Sequence, residues 1–346
     1  MMAGIIGYGF YVPMWRVKTS EIAAIWGADN ERLSRIAGEK AVGGLDEDSV
    51  TMAVEASRMA VKMAGIDPEK IGAVYMGSES HPYIVKSSSS IVAEAIGATP
   101  EMTAADLEFA CKAGTAGMQA ALGLVLSEKI QYGLAIGSDT AQGRPGDELE
   151  YTAASGAAAY LIGMKDVIAD IEEMYSFTTD TPDFWRREGE DFPRHGGRFT
   201  GTPAYFRHVL SATKGLLAKL NRTVNDYDYF VFHQPNNKFP LTVGEMLGIP
   251  REKIEPGLLV NVIGNTYSAA SMLGLAAVLD QAKPGDRILM TSFGSGAGSD
   301  SFSLVVTDHI EKHRHDMKIR EMIKHKSYLN YSQYIKYRRK IKGVLE

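Results

Sequence analysis

The only cysteine of the chain, Cys111, sits where a nucleophile would be useful. Ala104-Ala-Asp-Leu-Glu-Phe-Ala110 reads as a short extended run, and Ala113 to Leu126 is rich in Ala, Gly, Leu and Met at helical spacing. A thiol at that strand-to-helix junction would feel the positive end of the helix, which favours thiolate and predicts a lowered pKa. A free cysteine is also commonly a small buried hydrophobe, so other residues must separate the two readings.

Three polar residues do so together. Ile71-Gly-Ala-Val-Tyr-Met76 is predicted as a buried strand ending at Gly77-Ser-Glu79, which puts Glu79 at a carboxyl end, the edge where open α/β sheets bind ligands. Tyr227-Asp-Tyr-Phe-Val-Phe232 is a second such strand, followed by His233, and Asn265 precedes an Ala/Leu helix after Gly264. Singly, each has a plain structural role: a solvated carboxylate, a hydrogen-bonded histidine, a helix cap. Their spacing is informative. The step from Glu79 to His233 equals that from Cys111 to Asn265, 154 residues (233 − 79 and 265 − 111).

That offset fits the elements that must position them. Helix, strand, polar turn, helix, extended run, helix, strand and final strand occur twice, a self-similarity that predicts two related halves. In the first half the helix spans 48–64, the strands 71–76, 131–139 and 152–162, and a further helix 87–97. The second half repeats the order with a helix over 206–220, a helix over 237–247, an extended run over 258–263, and strands over 286–292 and 301–307. We expect an N-terminal half over 1–165 carrying Glu79 and Cys111, and a C-terminal half over 166–346 carrying His233 and Asn265. Residues 175–207 mix eight aromatic side chains with charges and prolines, as expected of an ordered cover over a site.

The 346 residues suffice for a large core, and 45% apolar with 23% charged residues is ordinary for a globular protein. One cysteine excludes an internal disulfide framework and fits a reducing, cytoplasmic setting. Arg16 interrupts the apolar N-terminal stretch, so neither a signal peptide nor a membrane helix is predicted. A net charge of -5 gives no reason to expect nucleic acid. Gly4-Ile-Ile-Gly-Tyr-Gly9 lacks the spacing of a dinucleotide fingerprint. From about His309 the chain turns basic, which reads as a solvated face, and His313-Arg-His315 reads as surface rather than a metal site.

A thiolate, an imidazole, an amide and a carboxylate form a kit for thioester chemistry. Cys111 would take an acyl group, His233 would serve a carbonyl oxygen, and Glu79 would take a proton from carbon once burial raised its pKa. At this point the chain resembles, over nearly its whole length, the thiolase superfamily and within it the hydroxymethylglutaryl-CoA synthases of the shorter archaeal and bacterial type. The resemblance is carried by Gly77-Ser-Glu-Ser80, Phe109-Ala-Cys-Lys-Ala-Gly114, Phe232-His-Gln-Pro-Asn-Asn-Lys238, Gly264-Asn-Thr-Tyr-Ser268 and Ser292-Phe-Gly-Ser-Gly-Ala-Gly298. Asp183-Phe-Trp-Arg186 and Gly196-Gly-Arg-Phe-Thr200 in the aromatic loop add to it.

The resemblance implies a thiolase-like fold, two pseudo-twofold βαβ halves packed as an α/β/α/β/α sandwich. It implies an acyltransferase that forms acetyl-Cys111 from acetyl-CoA and condenses it, through Glu79 and His233, with acetoacetyl-CoA on the mevalonate route to isoprenoids. Lys238 and Arg198 are the implied contacts for CoA phosphates. Thr152, Thr200, Asn265 and Ser295 are implied substrate contacts, with the Cys111 N–H and the loop around Ser295 as the oxyanion hole. No metal or redox cofactor is called for. A homo-oligomer, and association with acetoacetyl-CoA thiolase through a small bridging protein, are further implications. Two alternatives remain: a ketoacyl synthase that initiates short chains with Cys, His and Asn but has no need of Glu79, and a catalytically silent CoA-binding subunit.

Overall fold

The computed structural model describes residues 3–34 and 36–338. The first half runs β1 (Gly4–Tyr11), α1 (Ser49–Ala64), β2 (Ile71–Gly77), α2 (Ser88–Ile96), β3 (Thr103–Leu107), α3 (Ala113–Leu126), β4 (Tyr132–Thr140) and β5 (Ser155–Gly163). The second runs β6 (Ala169–Thr178), α4 (Phe206–Leu220), β7 (Tyr229–Phe232), α5 (Lys238–Leu247), α6 (Val260–Ile263), α7 (Ala270–Leu279), β8 (Arg287–Thr291) and β9 (Gly298–Val306). Among the described residues these strands form one nine-stranded sheet in the order β7-β8-β9-β6-β1-β5-β4-β2-β3.

The order is symmetric about its middle. β1 and β6 meet over only two residue pairs, Gly4 with Asp170 and Ile5 with Ala169. Outward from that seam each side has two antiparallel pairings and then a parallel one, β1-β5-β4-β2 on one side and β6-β9-β8-β7 on the other. Two sheets related by a pseudo-twofold axis are thus joined at their first strands, the thiolase-like arrangement expected.

Helix α1 starts at a reciprocal cap, in which the Thr51 N–H donates to Asp48 and the Asp48 N–H donates to Thr51 Oγ1, both at 2.8 Å. Helices α3 and α7 form the middle layer. All ten residues of α7 are buried, so it is apolar all round rather than amphipathic. Close approach of the two depends on Gly114, where a Cβ would lie 2.4 Å from Met272 Sδ.

One expected element differs. Residues 258–263 do not extend the second sheet; Val260–Ile263 is a short helix. The Gln234 side-chain oxygen accepts from the N–H groups of Leu259 and Val260 at 2.7 and 2.8 Å, giving those amides a partner other than a neighbouring strand.

The basic tail is in part the solvated face expected, with Lys312, Lys318, Arg320, Lys324, Lys326 and Lys336 exposed, but His313, Arg314 and His315 are packed on the fold. Arg314 donates to the Leu279 carbonyl at 3.0 Å and to the Ala282 carbonyl at 2.5 Å, covering the end of α7. His315 bonds the Tyr8 carbonyl at 2.7 Å with its ring edge-on to Tyr8, and His313 bonds the Met63 carbonyl at 3.1 Å. The tail then adds Ser327–Tyr328 to the strands Trp15–Lys18 and Glu39–Val42 and ends in the helix Tyr331–Tyr337. Arg339, Lys340 and Lys342, also part of the predicted basic run, lie outside the described residues.

Candidate active site

Cys111 occupies a sharp turn between β3 and α3. Ala110 before it has a positive φ of 42°, and the Lys112 and Ala113 N–H groups return to the carbonyls of Phe109 and Ala110, both at 3.2 Å. The turn is pinned to the second half through its neighbour. Lys112 Nζ lies 3.1 Å from the buried Asp300 carboxylate on β9, which also accepts from Thr115 at 2.8 Å. The Gly-rich loop after β8 presses on the same turn, since a Cβ on Gly294 would fall 2.4 Å from the Phe109 carbonyl oxygen. Cys111 itself is 6% exposed and packs with Ala141, Ala153, Tyr267 and Phe184.

Glu79 is brought to it. Cys111 Sγ lies 4.0 Å from Glu79 Oε2. Glu79 is held by its backbone: its N–H, the Ser78 hydroxyl and the Ser80 hydroxyl donate to Asp139 Oδ1 at 2.9, 2.8 and 2.6 Å. Asp139 Oδ2 accepts from the Ser268 N–H at 2.9 Å, tying this strand end to the residues before α7. Burial pushes the Glu79 carboxyl well above the usual carboxylate range; the neighbouring Asp139 and Glu108 add to the effect and Arg186 opposes it.

The thiol departs from expectation. Burial, followed by the negative charges of Glu79, Asp139 and Asp183, pushes the Cys111 pKa well up rather than down. Helix α3 begins two residues beyond Cys111, and its positive end does not outweigh three nearby carboxylates. The raised pKa favours the thiol form of Cys111 in the resting fold.

His233 follows β7 as expected and is fully buried. Its N–H donates to the Thr291 carbonyl at 2.9 Å, its carbonyl accepts from the Tyr205 hydroxyl at 2.6 Å, and its ring lies 6.2 Å from that of Phe293. Burial lowers its pKa to about 3, so the ring is neutral over the physiological range, and Nδ1 has no hydrogen-bond partner among the described residues. Asn265 and Thr152 are brought together by the backbone: the Asn265 N–H donates to the Thr152 carbonyl at 2.8 Å, and the Asn265 carbonyl accepts from Ala154 at 2.9 Å. Asn265 Oδ1 accepts from the Tyr267 N–H at 3.0 Å.

A cavity of about 450 Å³ reaches the Glu79 side of this cluster, lined by Glu79, Ala110 and Ser295 together with Phe184, Trp185 and Arg186 of the aromatic loop, whereas Cys111, Thr152, Thr200, His233 and Asn265 are not in its lining. That loop is an ordered cover. Phe184 lies 6.2 Å from Tyr267, and the buried Asp183 carboxylate accepts from the Gly296 N–H at 2.9 Å and from Thr181 at 2.6 Å, joining the cover to the Gly-rich loop. Thr200 donates to the Asp183 carbonyl at 3.2 Å. Arg198 and Lys238 are exposed and do not line the cavity. Asp139, Asp183, Tyr205 and Tyr267 also contact this cluster, though the sequence reading does not single them out as site residues. Asp139 carried a readable signal, since like Glu79 it falls near the carboxyl end of a buried strand. Among the described residues no group of three or more His, Cys, Asp or Glu side chains is placed to hold a metal ion.

Residues 217–305 match the family model described as 3-oxoacyl-[acyl-carrier-protein] synthase III C terminal. The whole chain is 60% identical to the hydroxymethylglutaryl-CoA synthase of Methanothermobacter thermautotrophicus over 345 residues, 99% of each chain. The chain belongs to the hydroxymethylglutaryl-CoA synthase family. The synthase of Methanocaldococcus jannaschii is likewise 60% identical, over 99% of this chain and 100% of that one. Among solved structures, MvaS in complex with 3-hydroxy-3-methylglutaryl coenzyme A superposes with a TM-score of 0.89 at 22% identity, covering 97% of this chain and 91% of that one, which shows the shared fold.

Proposed function

We infer that this chain condenses acetyl-CoA with acetoacetyl-CoA and water to give hydroxymethylglutaryl-CoA and CoA, in the mevalonate route. The observation that carries the reading is Glu79 at 4.0 Å from Cys111. A condensation that begins from an unactivated acetyl group needs a base for the methyl proton, whereas decarboxylative condensation does not.

Cys111 Sγ attacks the acetyl-CoA carbonyl while its proton passes to the Glu79 carboxylate, and the CoA sulfur departs with a proton. With Glu79 again ionised, it removes a methyl proton from acetyl-Cys111, and the enolate carbon bonds to the ketone carbon of acetoacetyl-CoA. Neutral His233 donates a hydrogen bond to the ketone oxygen as negative charge develops there, the service that a low-pKa imidazole can give without first being charged, and the proton taken up by Glu79 passes to that oxygen to complete the hydroxyl and free the carboxylate. Water then cleaves the thioester, freeing the new carboxyl group and the Cys111 thiol. The Cys111 N–H and the loop at Ser295 stabilise the oxyanions. Thr152, Thr200 and Asn265 contact the substrates, and Arg198 and Lys238 meet the CoA phosphates. That last pairing is supported by packing of Tyr205 on Phe239, rings 4.9 Å apart, which sets the 197–205 turns beside the start of α5. The chemistry calls for CoA thioesters as substrates and for no metal or redox cofactor.

The division at 165/166 belongs to this reading, supported by β6 starting at Ala169 on the far side of the seam. So does a cytoplasmic location; no helix among the described residues is long and apolar enough to cross a membrane. A homo-oligomer is supported by β3, paired on one side only, and by Tyr83, Ile84 and Val85, which are 54%, 89% and 101% exposed. Association with acetoacetyl-CoA thiolase through a small bridging protein is supported by likeness to the archaeal relatives alone, and co-purification with neither from native extract would count against it.

Intact mass after incubation with acetyl-CoA, for wild type and Cys111→Ala, tests the scheme. We expect an acetyl adduct in wild type only, and hydroxymethylglutaryl-CoA once acetoacetyl-CoA is added. An adduct that turns over only with a malonyl thioester would indicate a ketoacyl synthase, and no adduct a silent subunit.

A further inference from the structure

The C-terminal segment lies beyond the repeated halves and carries none of the motifs that mark the site, yet it reaches the wall of the cavity. We propose that Arg338 is a positioning residue for Glu79, bracing from the end of the C-terminal helix the end of β4 against which the turn carrying the general base is hydrogen-bonded. The proposal rests on the condensation chemistry assigned to Glu79 above.

The helix Tyr331–Tyr337 is held in register with the cavity wall at several points. It begins at a reciprocal cap between Asn330 and Gln333, with N–H donations of 2.9 and 3.0 Å. The buried Tyr334 hydroxyl accepts from Lys40 Nζ at 2.9 Å, and the same ammonium donates to the Glu150 carbonyl. Tyr331 donates to Glu150 Oε1 at 3.2 Å, while Glu150 Oε2 accepts from the Gly146 N–H at 2.7 Å. These contacts tie the helix to the loop after β4 and leave Arg338, 8% exposed, against residues 140–142.

There one guanidinium nitrogen, Nη2, meets the wall at two acceptors. Arg338 Nη2 donates to the Thr140 carbonyl at 2.9 Å. The Gln142 amide, with its oxygen turned to the guanidinium, accepts at 3.0 Å and donates to the Arg338 carbonyl at 3.3 Å. Thr140 and Gln142 both line the cavity. From Thr140 the hydrogen bonds continue inward: its N–H donates to Ser80 Oγ at 2.9 Å, Ser80 donates to Asp139 Oδ1, and that oxygen holds the Glu79 N–H. Arg338 thus holds one side of Thr140 while the turn that presents Glu79 holds the other. Both side-chain bonds leave from the one nitrogen Nη2, so the ammonium of Arg338→Lys keeps a donor for them but, on a shorter side chain, restores the contact only in part. Displacement of a reacting group by about 1 Å costs up to about a hundredfold in rate, so loosening this wall is expected to reach Glu79.

The test uses the full chain with Arg338→Met and Arg338→Lys. Active sites are counted by acetylation of Cys111 with acetyl-CoA, and kcat, KM and the pH profile of condensation are then measured per countable site. We expect Arg338→Met to lower kcat per acetylatable site about tenfold or more, to displace the limb of the pH profile that Glu79 sets, and to be partly restored in Arg338→Lys. Should the Met variant not fold, the Lys variant carries the same readout, with a smaller fall in kcat and the same displaced limb. An unchanged kcat per acetylatable site and an unchanged pH limb, whatever happens to the thermal midpoint, overturns the proposal and leaves Arg338 a structural residue. Failure of the condensation reading would show in the wild type; failure of this inference shows only in the variants.

Discussion

Cys111 Sγ and Glu79 Oε2 stand 4.0 Å apart in a setting that penalises the charged form of each. Replacing the carboxylate with an amide removes a negative charge from beside the sulfur but leaves its burial. In Glu79→Gln the thiol pKa therefore falls without reaching that of an exposed cysteine, and alkylation at pH 8 quickens by about three- to tenfold, one pKa unit being worth tenfold in thiolate. Condensation falls by about 10²–10⁴, the usual contribution of a positioned base. An unchanged alkylation profile would mean that the two groups do not sense each other.

The same carboxyl makes a stability statement. Its pKa is raised in the fold, so the folded chain holds that proton more tightly than the unfolded chain, and stability is lost as pH rises through the raised pKa. Glu79→Gln escapes that loss. Its thermal midpoint is expected to exceed that of wild type at pH 8, with the gap closing as pH falls toward the ordinary carboxylate range. A gap that widens on acidification would reverse the sign.

His233 titrates the other way. Burial lowers its pKa to about 3, so stability is lost as pH falls below the ordinary histidine value of about 6.5 toward the folded value. His233→Gln removes that titration, and the stability advantage of wild type over the variant should shrink steadily across this window. Condensation should fall by about 10²–10⁴, with no limb of the wild-type pH profile near 6.5 assignable to His233. Such a limb, abolished in the variant, would show that the ring titrates where an exposed histidine does.

Most of the frame was legible because it follows from local signals. Strand runs ending in Glu79 and His233, the Cys111 junction and the Ala/Leu helix after Asn265 each depend on a few neighbouring residues. What was not legible depends on partners far along the chain. Residues 258–263 form a turn of helix because Gln234 meets their amides, and nothing within the segment records that. His313, Arg314 and His315 read as surface, yet they bond carbonyls of Met63, Leu279, Ala282 and Tyr8 that only the fold brings near. The helix-end argument for a reactive thiol was locally sound and failed first on burial, then on the charges of Glu79, Asp139 and Asp183, all of which are set by tertiary packing.

Asp139 is the residue through which the Glu79 turn is held, and its replacement separates geometry from charge. Asp139→Asn places amide hydrogens where one oxygen now accepts, setting donor against donor at either Ser268 N–H or the Ser78–Ser80 group. We expect a loss of about 1–3 kcal/mol in stability, the cost of a buried group left unmatched. With the negative charge gone, the Glu79 pKa should also move down, shifting its limb of the condensation profile to lower pH. Equal stability and an unmoved limb would show that Asp139 neither supports nor charges the site.

Gly294 tests whether the two halves must touch at the nucleophile. A Cβ there would lie 2.4 Å from the Phe109 carbonyl oxygen and 2.7 Å from Lys112 Cγ. The first neighbour is backbone and cannot rotate away, so in Gly294→Ala either the Gly-rich loop or the Cys111 turn must retreat. Either movement separates the loop carrying Ser295 from the sulfur it is proposed to serve. A shift of about 1 Å is expected to cost up to about a hundredfold in the rate of Cys111 acetylation, while the α3–α7 approach at Gly114 and Met272 is untouched. Acetylation at the wild-type rate, followed by intact mass over time, would mean that the loop does not act on the acyl group.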